Sequence, residues 1–270
     1  SLIGAPAGGN GFSQVQLGNN AAGGQTLFDV ADGAAAVDLQ VNPALVDGRN
    51  AAGSATVPSG LIKSGAGVMA VSSNNTFTGA ASINAGTFQL SANATVAGEL
   101  AVAAGAVLDV SAKPTLTLGA GQMLRGSGLV TGNVAVGATS QLRAGGVNTP
   151  GTLTVGGNLT LDSAYESVFD LTNSTAVGGG TNDLVVVTGD LDAGLGTIRI
   201  NPLAPLVSGT YRLMEYTGTE PLPFSGGVVG LNTRDTAVLD ATTPGQVNLI
   251  VTAGAAQALA WNPVVDGNWD

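Results

Sequence analysis

The chain has 270 residues, of which 44% are hydrophobic, enough for a core and against a disordered polymer despite 42 glycines. Its formal net charge is −10 with eight Lys and Arg scattered along it, which argues against a nucleic-acid partner because phosphate binding needs clustered cations. Cysteine and histidine are both absent, so disulfides, thiolate zinc sites, imidazole bases and a Ser-His-Asp triad are excluded.

Aromatic residues make up 4% and charged residues 10%, where an ordinary domain has roughly a quarter charged. The apolar material is Ala, Val and Leu, which suits a narrow, regularly stacked interior. The acidity reads as a solubility device for an exposed surface, with an acidic cation-binding face as the rival reading. No apolar run approaches the roughly 20 residues of a membrane-spanning helix, and no signal-peptide pattern opens the chain. A piece processed or excised from a longer protein is expected.

Residues 1 to about 60 are the least regular. Turn-forming clusters at 4–11 and 18–24 separate short strand candidates at Phe12 to Leu17, Thr26 to Val30 and Ala36 to Val41, while Pro43 and Pro58 limit where ladders can run. From Gly60 to Leu161 the pattern tightens to a period near two. Strands are predicted at 68–71, 81–84, 87–90, 99–103, 106–110, 115–118, 129–130, 133–136, 141–143, 152–155 and 158–161. Many follow a glycine, as in Gly86-Thr-Phe and Gly105-Ala-Val, where a sharp corner needs a positive φ.

Comparable strands recur about every twenty residues, marked by Phe88, Leu108, Leu129 and, after an insertion around Val147 to Pro150, Leu153. A coil of that length fits three short strands and three bends. Varied single-glycine corners favour parallel coiling over a meander, which would want two-residue hairpin turns. The predicted fold is therefore all-β, a parallel β-helix or β-solenoid, right-handed by the crossover rule, with less regular coils at both ends. Beyond residue 162 lie longer strands at 165–171, 183–187, 197–201 and 209–216. A glycine-rich loop, Asn173 to Asn182, is read as flexible; two or three further strands are predicted within 224–251.

The stretch LIKSGAGVMAVSSNNTFTGAASINAGTFQL at 61–90 resembles the passenger-associated, or autotransporter-associated, β-strand repeat of large bacterial surface proteins. The likeness rests on Lys63 before Gly65-Ala66-Gly67, on the Asn75-Thr76-Phe77-Thr78-Gly79 turn and on the Asn84-Ala85-Gly86-Thr87 corner. Segments 126–136, 150–161, 182–191 and 209–218 resemble that family's usual sequel, and 261–270 resembles its tryptophan-bearing join. Residues 1–59 fit it only loosely, which leaves room for a grafted functional element. The resemblance implies a secreted structural stalk, extracellular or on the bacterial cell surface, with no catalytic residue.

The expected division is irregular lead-in coils over 1–59, a β-helix over 60–252, and a linker or the start of a following repeat block over 253–270. Three functions stay open: a self-assembling or spacing scaffold, an adhesin binding glycans or host surfaces through its loops at 173–182 and 221–227, and a polysaccharide-acting enzyme. The scaffold is preferred, so the expectation is no enzyme, no catalytic, cofactor-binding or metal residue, no cofactor and no membrane insertion. Other copies or neighbouring repeat blocks are the expected partners, with surface glycans second.

An enzyme would need carboxylates and a cation in one groove; the candidate cluster is Asp183, Asp190 and Asp192. The plainer reading is that these aspartates accept backbone N–H bonds at turns. Calcium at Asp190 and Asp192 lacks the glycine-spaced nonapeptide of calcium-binding β-rolls. Asn74, Asn75, Asn84 and Asn93 are expected to form structural polar ladders. Arg212 with Glu215 and Arg234 with Asp235 read as surface pairs, and Trp261 and Trp269 as coil-end caps or parts of a following block.

Overall fold

A computed structural model of the chain describes residues 2–3, 14–18, 23–162, 165–194, 196–219 and 227–254. Every element there is a β-strand, and no helix is long and apolar enough to cross a membrane. The chain winds as a parallel β-helix of three faces, and each lap crosses a nine-stranded face, then an eleven-stranded face, then a shorter third one.

One lap shows how sequence dictates this path. Ala81–Ile83 lies on the nine-stranded face and Thr87–Leu90 on the eleven-stranded face. Gly86 turns the corner between them at φ 63°, and an added Cβ there would lie 2.5 Å from the Gly65 carbonyl oxygen of the lap below. Only glycine fits such a corner, where positive φ and close stacking coincide. Both strands alternate inward and outward residues, so Ala81, Ile83, Phe88 and Leu90 are buried.

Stacking places like on like. The inward file of the eleven-stranded face runs Met69, Phe88, Leu108, Val130, Val155, Val187 and Tyr216, each paired with the next in parallel register. The strands that hold Phe88, Leu108, Leu129 and Leu153 succeed one another on this face, as their twenty-residue recurrence predicted, but Leu129 and Leu153 are not the residues that stack on Leu108 and on each other. Leu129 pairs instead with Val107 and Thr154, and Leu153 with Val185. A slip of one residue exchanges the two sides of a strand, and Val130 rather than Leu129 is buried. The steps along the true file are 19, 20, 22, 25, 32 and 29 residues, so the laps lengthen along the axis.

Before residue 60 the same pairing already operates. Gly24–Asp29 pairs over its whole length with Ser59–Ser64, Leu39–Val41 with Val68–Val71, and Ala44–Val46 with Gln14–Gln16. Several strands escaped the sequence pattern, among them Ala44–Val46, Gly48–Arg49 and Thr56–Val57 before residue 60 and, after it, Met123–Gly126, whose one large buried residue is Leu124, and Leu191–Ala193. At the far end direction reverses. Gln246–Thr252 pairs antiparallel with Gly209–Tyr216, and Thr236–Asp240 antiparallel with it in turn, closing the eleven-stranded face. Buried apolar side chains from Leu17 to Val251 form one contiguous core.

Candidate functional site

The aspartates singled out by sequence do not converge. Asp183 is fully buried, its Oδ1 accepting the Gly151 amide at 2.8 Å and its Oδ2 the Asp170 amide at 2.7 Å. Asp190 sits at an exposed corner and accepts the Thr219 amide and hydroxyl at 2.7 and 2.9 Å, bonds that hold its carboxyl below the usual range. Asp192 pairs with Thr160 on the third face and is exposed. Asp183 and Asp190 thus act on backbone amides. Among the described residues no three Asp or Glu are grouped so as to hold a metal ion.

The asparagines divide in the same way. Asn75 is buried; its Oδ1 accepts the Leu45 amide at 2.9 Å and its Nδ2 donates to the Ser73 and Thr95 carbonyls at 2.8 and 2.9 Å. One side chain therefore links three successive laps where the third face has no regular ladder. Asn74 accepts the Thr95 hydroxyl, whereas Asn84 and Asn93 are exposed and build no ladder. The loop at 173–182, read as flexible, is drawn around Asn182, which accepts the Thr172 amide and donates to the Ser174 and Ala176 carbonyls at 2.8, 2.7 and 2.8 Å. Arg212 pairs with Glu215 at 2.7 Å, and Asp235 accepts the Gly254 amide. Residues 221–226, Trp261 and Trp269 lie outside the described residues.

The structure gathers a different set. Arg125 stands directly beside Arg143 on the nine-stranded face, and Arg143 is separated from Arg199 by Val168 alone. Three of the eight cationic residues, scattered in sequence, thus share one outward file. Each has a carboxylate: Arg125 with Glu99 at 2.6 Å, Arg143 with the fully buried Asp170 at 2.6 Å, and Arg199 with Glu166 at 2.7 Å.

Beside Arg143 and Arg199 runs a groove of about 460 Å³ whose polar lining is Gln141, Arg143, Asn148, Glu166, Arg199 and Asn201. Asn148 arrives from the insertion after Ala144, which folds back through the Gly146 amide to the Thr149 carbonyl at 2.8 Å and receives Arg143 Nε on the Gly146 carbonyl at 2.8 Å. Asn201 Nδ2 donates to Asn148 at 2.9 Å and to Asp170 at 2.7 Å. Gln141 Nε2 donates to Glu166 at 2.8 Å. Behind the groove, burial pushes the Asp183 carboxyl up to about 7, against its two amide bonds.

Sequence reasoning missed this set because its members come from separate laps. The available signal was the repeated alternate spacing of polar residues at Gln141 and Arg143, Glu166 and Asp170, and Arg199 and Asn201. The arrangement offers hydrogen-bond donors and acceptors to a ligand. It also brings Arg143, Arg199 and Glu166 together, a meeting of acidic and basic side chains in one groove of the kind the enzyme reading called for, with Glu166 held in an ion pair by Arg199.

Lys63 explains the motif that carried the family resemblance. Its buried ammonium donates to the Ser64, Gly65 and Ala85 carbonyls at 2.9, 2.8 and 3.0 Å, tying one corner to the lap above. Residues 61–90, which hold Lys63, Asn75 and Gly86, match the model of the passenger-associated-transport repeat. The adhesin BmaC autotransporter of Brucella suis biovar 1 (strain 1330) is 33% identical over 145 residues, which is 50% of this chain and 4% of that protein. The chain therefore spans about 4% of the length of the curated relative it matches. It is an all-β parallel helix that carries a match to this passenger repeat and is similar over half its length to part of an autotransporter adhesin.

Proposed function

We propose that this chain is a mechanical spacer, an elongated and non-catalytic segment of a secreted bacterial surface protein that works outside the cell. The observation that carries the reading is the nine-stranded face, where strands from Gly24–Asp29 to Val228–Val229 pair in parallel without interruption. At about 4.8 Å per strand this gives a ladder on the order of 40 Å long. Each lap meets the hydrogen-bonding needs of its neighbours, so the element is stiff along its axis and tolerant of sequence change. Neighbouring blocks, or further copies set end to end, are the partners this reading calls for.

Deleting one in-register lap, residues 88–107, tests it. A spacer keeps its fold by circular dichroism and shortens by about 4.8 Å in X-ray scattering, with surface display of the parent protein unchanged. Loss of a measurable binding or catalytic activity from the intact, shortened helix overturns the spacer reading.

A second reading, an adhesin that binds surface glycans, draws support from the name of the Brucella relative and from the polar groove on the nine-stranded face.

A further inference from the structure

We infer that the groove lined by Gln141, Arg143, Asn148, Glu166, Arg199 and Asn201 binds an uncharged oligosaccharide. The inference rests on the adhesin reading and gives it a site and a ligand class.

Charge is the first argument. The two arginines of the groove face two carboxylates, Arg143 on Asp170 and Arg199 on Glu166, so the site is locally balanced within a chain of net charge −10. A polyanion gains nothing from cations already neutralised and is repelled by the chain as a whole. A polycation finds no unpaired carboxylate facing the groove.

Spare hydrogen-bonding capacity is the second. Arg199 uses only Nε on Glu166, which leaves both η nitrogens as donors. Asn148 uses only its Oδ1 and Gln141 only its Nε2, leaving an amide donor and an amide acceptor. Asn201 spends Nδ2 on Asn148 and Asp170 and keeps Oδ1 as a further acceptor. Donors and acceptors thus alternate on planar groups, the pattern that adjacent hydroxyls satisfy, because each hydroxyl both donates and accepts.

Preorganisation is the third. These groups are already held by bonds of 2.6 to 2.9 Å to one another, so little ordering entropy is lost on binding. A peptide fits less well. The groove has no aromatic or deep apolar pocket for an anchor side chain, and beneath it only Ile200–Pro202, three residues ending in a proline, lack a ladder partner on one edge, too short a stretch for strand addition. Without an aromatic platform the affinity per site is modest, on the order of 0.1–1 mM.

The test is a titration of the whole chain with neutral oligosaccharides (cellohexaose, chitohexaose, maltohexaose and xylohexaose) beside heparin and polygalacturonate, read by calorimetry. The variants are Arg199→Ala and Asn148→Gly; the second removes the amide while keeping a residue suited to the φ of 56° at that position. We expect saturable binding of at least one neutral hexamer and at least tenfold weaker binding in both variants, with unchanged melting curves. Neutral-glycan binding that both folded variants retain overturns the site and leaves the adhesin reading standing. Binding of the acidic polymers alone overturns the ligand class. No binding at millimolar glycan overturns both the inference and the adhesin reading. Should Arg199→Ala lower the melting temperature, Asn148→Gly alone decides.

Discussion

At Lys63 an ammonium group lies beneath the surface with three carbonyl oxygens within 3.0 Å. Burial lowers its pKa, while Asp29 and Asp38 pull it back up. Lys63→Met keeps much of the stem volume but leaves those oxygens without a donor, and is expected to cost about 2–4 kcal/mol. Thermal or urea unfolding would measure it. Asn75→Leu is expected to cost a similar amount, about 2–3 kcal/mol, because the Leu45 amide and two carbonyls lose their partner together.

Asp183 makes a prediction in pH. Its carboxyl titrates near 7 in the fold against an ordinary 3.8, so the folded chain holds that proton more tightly than the unfolded one. Its contribution to stability therefore falls as pH rises from about 4 to about 7, then stays level. Asp109 acts in a separate window. Burial pushes its carboxyl up, but hydrogen bonds from Thr131, Ser111 and Gln89 outweigh this and hold it at about 2. That stabilisation is present above the ordinary carboxyl pKa and is lost as pH falls through about 2. Asp183→Asn should flatten the slope between pH 4 and 7. It should also cost about 1–3 kcal/mol, since an amide oxygen can accept only one of the two N–H groups in this geometry. Melting temperatures across a pH series check both statements.

Among the elements, Met123–Gly126 shows what stacking demands of backbone. Gly126 has φ 127°, and an added Cβ would lie 1.9 Å from the Val102 carbonyl oxygen of the lap below. Gly126→Ala meets a rigid neighbour as well as backbone strain, and is expected to cost about 3 kcal/mol, read in the same unfolding experiment. This strand also marks the limit of legibility. Alternation announced Ala81–Ile83, Thr87–Leu90 and most of their successors, because each pairs two inward apolar residues with outward small or polar ones. Met123–Gly126 has one such large apolar residue, Leu124, and was invisible for that reason. Register was harder still. The step from Leu108 to Val130 exceeds that from Phe88 to Leu108 by two residues taken up in corners, and corners leave no apolar signature. The groove on the nine-stranded face depends on two such steps together with the insertion that carries Asn148. Its residue types were in plain view while their meeting was not.

Over the whole molecule, a single core is covered by three ladders, and the reversed strand Gln246–Thr252, itself backed by Thr236–Asp240, shields the last long parallel strand. Truncation before residue 227 strips Gly209–Tyr216 of Gln246–Thr252 and presents an eight-residue strand with an open edge. Such an edge templates pairing with another chain, so the truncated protein is expected to associate with rising concentration in light scattering, more steeply than the full chain.

The same reversal bears on how a neighbour can be joined at that end. On the eleven-stranded face the outermost strand is Thr236–Asp240, which two successive reversals return to the direction of the parallel strands, whereas the nine-stranded face finishes on the two residues Val228–Val229. A neighbour could continue the strand direction on both long faces, but it meets five residues of edge on one and two on the other, so any coupling there has to grip unequally around the perimeter. Arrays built from such units would flex at their seams while each unit stayed straight, in the manner of a jointed rod.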